Sequence, residues 1–137
     1  MLLEVLVSIL IFAIGVLSIV GLQVSAVKQS SAAKYRTDAS LLANDLIGKM
    51  WVTDRTFATI DTNFKTGGTA FNAWLPGVQS ALPGSTTHTP TVVTESVAAG
   101  VVGDPPSTKV TLTLQWKAPN EPTTDPVHQL VVVTQIK

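Results

Sequence analysis

The chain has 137 residues, nine basic and nine acidic, for a formal net charge of zero and a pI near 6.7. That balance removes any long-range pull toward nucleic acid, and no nucleic-acid partner is expected. Cysteine is absent, which excludes disulfides, thiolate metal sites and cysteine nucleophiles.

Hydropathy is uneven. "MLLEVLVSILIFAIGVLSIVGLQVSAV" holds one charge, Glu4, and the remaining 110 residues hold seventeen. Val5 to Val27 is 23 uncharged residues, about 35 Å of helix against a hydrocarbon core of roughly 30 Å. Leu2, Leu3, Val5, Leu6, Val7, Ile9, Leu10, Ile11, Phe12, Ile14, Val16 and Leu17 make it apolar on every side. A domain this small cannot enclose such a helix. A cleaved signal peptide has a basic start and a shorter apolar run, neither of which occurs here. Residues 1–27 therefore read as a retained transmembrane segment. Glu4 sits at the positive end of the helix dipole and can remain at the membrane interface. If many copies pack these helices together, Glu4 is buried and needs a partner. The natural one is the α-amino group of an adjacent copy, and such a pair would fix the axial register between subunits.

No proline occurs before Pro76, and "KQSSAAKYRTDASLLANDLIGKMW" continues the helix to about residue 53. Ala32, Tyr35, Ala39, Leu42, Leu46 and Met50 recur at spacings of three and four, and Ala43 and Ile47 widen the stripe. Lys34 with Asp38 and Asp45 with Lys49 are four apart on the solvated side. Residues 54–90 form a connecting region. Gly67-Gly68 breaks it; Phe71, Trp74, Val78 and Leu82 keep helical spacing, with Pro76 expected in a first turn and Pro83-Gly84 ending the helix. Residues 91–137 read as antiparallel strands. "TVVTESV" is followed by the interrupting Gly100, Gly103 and Pro105-Pro106. "KVTLTLQW" alternates, with Val110, Leu112, Leu114 and Trp116 on one face. "APNEPTTDP" suits a hairpin loop, and "HQLVVVTQIK" offers Leu130, Val132 and Ile136 to the inner face. The fold class is α+β, a long N-terminal helix packed on a C-terminal antiparallel sheet, with residues 28–137 as the globular part.

No catalytic constellation, cofactor site or metal site is expected. His88 and His128 have no acid or second histidine at ligand spacing and read as surface or strand-edge residues. Asp104, Glu121 and Asp125 read as ordinary loop polarity. Trp51, Trp74 and Trp116 fall on the apolar faces of their elements and read as core.

"LLEVLVSILIFAIGVLSIVGLQ" resembles the N-terminal segment of type IV pilins, and "ASLLANDLIGKMW", "WLPGVQSALPG" and "LTLQW" are most similar to PilV-type minor pilins. The resemblance covers roughly residues 2–53 and is weaker beyond. It implies a structural, non-enzymatic subunit that polymerises through its helix, with Glu4 in the family's acidic position. That position is the fifth of the mature, N-methylated chain, which implies either one residue ahead of Met1 or a different assignment of the start. The implied partners are other pilin subunits in a homo- or hetero-polymer, the bacterial inner membrane before assembly, the prepilin peptidase and the pilus assembly machinery. The implied locations are the inner membrane with a periplasmic domain, then the surface pilus. The helix proline and C-terminal disulfide of many major pilins are missing, which favours a minor subunit; Gly15 and Gly21 are where this helix would loosen. A minor pseudopilin of a type II secretion system, which shares the "LLEVLV" start, and a single-pass membrane-anchored binding module are the alternatives.

Overall fold

A computed structural model describes residues 1–100, 105–119 and 121–137. Gly103 and Asp104 lie outside the described residues. The element order is α1 (Leu2–Val52), α2 (Phe57–Phe64), α3 (Thr69–Ala81), β1 (Thr91–Val97), β2 (Ser107–Trp116) and β3 (His128–Ile136). The chain divides into a unit of Met1–Lys34 and a second of Tyr35–Lys137. The division lies past Lys28, where charge first returns after Glu4.

Helix α1 has no internal proline, and Glu4 in its first turn and Lys49 in its last both suit the helix dipole. In the second unit Ala39, Ala43, Leu46 and Met50 are buried, while Tyr35 and Leu42 pack at the margin of the core. The Asp45–Lys49 pair forms at 2.7 Å on the solvated side. Thr53 ends the helix by donating its hydroxyl to the Lys49 carbonyl at 2.7 Å. Asp54 then accepts the Thr56 N–H at 3.1 Å and the Thr59 hydroxyl at 3.2 Å, tying down the turn that opens α2.

Helix α2 was not expected. Its core residues Ile60 and Phe64 are four apart, one face of two turns. It ends where the glycine pair reverses the chain. Gly67 has φ +90°, and a Cβ on Gly68 would lie 2.4 Å from the Asn63 carbonyl oxygen, so both positions require glycine. Helix α3 buries Phe71, Trp74 and Val78, with Leu82 capping it in the core. Pro76 occupies the interior of α3, not its first turn. The helix tolerates it because both Pro76 and Asn72, whose carbonyl loses its donor, are on the exposed side, where water can replace the bond.

The sheet is an antiparallel meander in the order β1-β2-β3. Register places Val92, Leu112 and Val132 in one row and Trp116 opposite His128. Val110, Leu112, Leu114, Trp116 and Ile136 are buried and Leu130 and Val132 pack against them, as the alternation predicts. The cover over this face is shared. Ile60 and Phe64 of α2 and Phe71, Trp74 and Val78 of α3 join the same core as the α1 stripe. Thr66 closes part of the β1 edge, accepting the Val92 N–H at 2.8 Å while its own N–H donates to the Val92 carbonyl at 3.2 Å.

Candidate assembly surface

The unit Met1–Lys34 is a helical rod whose first thirty residues are all exposed. Leu2 is 79% exposed, Phe12 72% and Leu17 71%. Burying one such side chain is worth about 1.5–3 kcal/mol. Twelve of them, Leu2, Leu3, Val5, Leu6, Val7, Ile9, Leu10, Ile11, Phe12, Ile14, Val16 and Leu17, would cost roughly 18 kcal/mol or more in water. That exceeds the whole stability of an ordinary small domain, about 5–15 kcal/mol. By length and composition this helix could cross a membrane.

Two serines on the rod are satisfied by the helix itself. Ser8 donates to the Glu4 carbonyl at 2.8 Å and Ser18 to the Ile14 carbonyl at 2.9 Å. Each hydroxyl proton is spent on its own helix, which lowers the cost of a dry surrounding. Gly15 and Gly21 have open space where a Cβ would stand. Packing within this chain therefore gives no reason for glycine at either position. Glu4 differs from the serines. Its side chain is exposed, and no ion pair ties down its carboxylate among the described residues.

A second apolar strip lies on the solvated side of the α1 segment in the second unit. Leu41 is 62% exposed, Trp51 45% and Val52 86%, and the exposed Gly48 lies between them at helical spacing. This corrects the expectation for Trp51, which is not core. Met50 fills the stripe, and the next residue is turned about 100° away from it. Trp74 and Trp116 are core residues; the Trp74 indole N–H donates to the Leu42 carbonyl at 3.1 Å.

Elsewhere the polar groups stabilise loops. His128 is at the edge of its strand, the first residue of β3, and the hairpin loop returns Glu121 to it, Nε2 to Oε1, at 2.7 Å, a contact that sequence spacing does not show. The His128 ring also stacks on Trp116, centroids 5.9 Å apart. Glu121 further accepts the Ala118 N–H at 3.0 Å, and Lys117 donates to the Thr123 and Asp125 carbonyls at 3.0 and 2.9 Å. Glu121 is thus a loop staple. Partial burial pushes its carboxyl up, but the bonds from His128 and Ala118, with the charges of His128 and Lys117, together outweigh that and hold it below its ordinary range. Asp61 accepts the Thr94 hydroxyl, which holds its carboxyl low; burial opposes and Lys65 assists. Among the described residues no three histidine or carboxylate side chains gather as a metal would need. No protein-family model, curated protein or solved structure matches the chain.

Proposed function

We propose that the chain is a structural subunit of a type IV pilus, of the PilV-like minor kind, which polymerises through α1 and helps start or cap the filament. The observation that carries this is the exposed apolar rod of residues 2–27, with one carboxylate at its head that has no ion-pair partner among the described residues. A bilayer can cover the rod before assembly, and sister helices can cover it afterwards. Only in the second state does Glu4 gain a cationic partner, the chain-start amine of a neighbour, and a buried pair of that kind rewards one stagger over others. The strip of Leu41, Gly48, Trp51 and Val52 gives the same helix further apolar contact area. The pilin-like layout of helix and sheet and the resemblance of residues 2–53 support this reading. The test is to shear filaments from cells that produce the chain and probe them for it. Its presence in the sheared fraction, with loss or shortening of filaments when it is deleted, is the expected result. Confinement to the membrane fraction with filaments unchanged would favour a single-pass anchored module.

A further inference from the structure

The two edges of the sheet differ. On the β1 side Thr66 hydrogen-bonds both backbone groups of Val92, Asp61 of α2 accepts the Thr94 hydroxyl, and Glu95 puts a charge on the strand. Val92 there is 1% exposed. In the same row Leu112 is also 1% exposed, yet Val132 on β3 is only partly buried, as is Leu130. Among the described residues β3 makes backbone hydrogen bonds to β2 alone. It is nine residues long without charge, proline or glycine, so it has none of the residues that usually blunt an open edge. The sequence of β3 says what would fit it. Read outward from Val132, the flanking residues are Val131 and Val133, Leu130 and Thr134, and Gln129 and Gln135. A two-fold through Val132 sets valine against valine, leucine against β-branched threonine, and glutamine against glutamine. Opposed residues share a face, so Val131 and Val133 of both copies meet on the outer side and Leu130 and Val132 on the inner. No like charges oppose each other within the strand.

We propose that β3 is a self-pairing edge: two copies of the chain join antiparallel along β3, Val132 against Val132, into one sheet of twice three strands. The partner is a second copy because the pattern is its own complement about Val132, as a two-fold contact demands. Pairing satisfies the outward backbone groups of both edges and extends the cover over Leu130 and Val132. A contact of this kind closes on itself. It defines a paired form separate from any polymer built through α1, and the pair must open before a subunit enters one. The inference uses none of residues 1–27 and stands apart from the pilus reading.

The absence of cysteine allows a clean test on the full chain in mild detergent. In this register the two Val132 Cα atoms lie about 4.5–5.5 Å apart, within reach of a disulfide, whereas the two Gln129 are displaced by about 20 Å along the strands. On mild oxidation Val132→Cys should give about tenfold more covalent dimer than Gln129→Cys. Equal yields would mean parallel or random contact, and a low yield from Val132→Cys would mean no contact; either result overturns the proposal. Val131→Lys with Val133→Lys alters exposed side chains, so the fold should persist by circular dichroism, while lysine is set against lysine across the pair. Added to Val132→Cys, these two changes should lower the dimer to the level of Gln129→Cys. An undiminished yield overturns the proposal as well.

Discussion

At the residue scale, the structure rests on a few positions whose chemistry leaves little choice. Gly68 is one: Gly68→Ala drives a methyl into the Asn63 carbonyl, which is backbone and cannot step aside. A loss of about 1–3 kcal/mol in a denaturant melt is expected. Glu121 is another. Its folded-state carboxyl is held low, so the stabilisation it provides is complete above the unfolded value of about 4.3 and is lost as pH falls through the lower folded value. Melts from about pH 7 to pH 3 should show stability declining on the acid side, with Glu121→Gln flattening part of that decline. An unchanged acid limb in the variant would remove Glu121 from the account. Gly68 is legible as half of a chain-breaking glycine pair, whereas Glu121 does not declare its role in the sequence. Glu121 and His128 lie seven apart across a proline-rich loop, and only the hairpin register opposing Trp116 and His128 brings them together. A loop fold of this kind has no periodicity to read.

At the element scale, periodic patterns were legible and short or irregular ones were not. The alternation of Val110, Leu112, Leu114 and Trp116 places β2, and the stripe of Ala39, Leu46 and Met50 places the core side of α1, because burial selects apolar residues at the repeat of each element. Helix α2 is two turns long, and its signal of Phe57, Ile60 and Phe64 is short enough to be lost among threonines. Pro76 misleads because proline is normally a helix-start residue, whereas exposure decides its cost here. The burial around these elements sets the outcome of four substitutions. Leu46→Ala should cost about 2–5 kcal/mol, and Leu42→Ala distinctly less, because Leu42 is only partly buried. Lys49→Ala, on the solvated side, should stay within about half a kcal/mol. Pro76→Ala should stabilise by about 1 kcal/mol or more, since it restores a helix hydrogen bond at a site with no packing to lose. All four are read from denaturant melts. If Lys49→Ala were the damaging change, the core and solvent sides of α1 would be exchanged.

At the scale of the whole molecule, two units with opposite solvent requirements share one helix. The fragment 28–137 keeps the core residues from Ala39 to Ile136 and discards the bare rod. It should be soluble and folded by circular dichroism and sedimentation, and an aggregated product would mean that the first half of α1 belongs to the fold. In the proposed assembly the rod is the element that polymerises. Its apolar character was legible from composition alone, whereas the exposed strip at Leu41, Trp51 and Val52 was not. Those residues are interleaved with the core stripe, and sequence does not say which apolar residues a domain leaves uncovered. Under the proposed function Glu4 acts in assembly and not in folding or insertion. The direct measurement is the amount of the Glu4→Ala subunit in sheared filaments, normalised to its amount in the membrane fraction and compared with the unaltered chain. Normal membrane levels with a roughly tenfold or greater loss from filaments are expected, the direction set by removing one partner of a buried ion pair. Equal incorporation of the variant would contradict it.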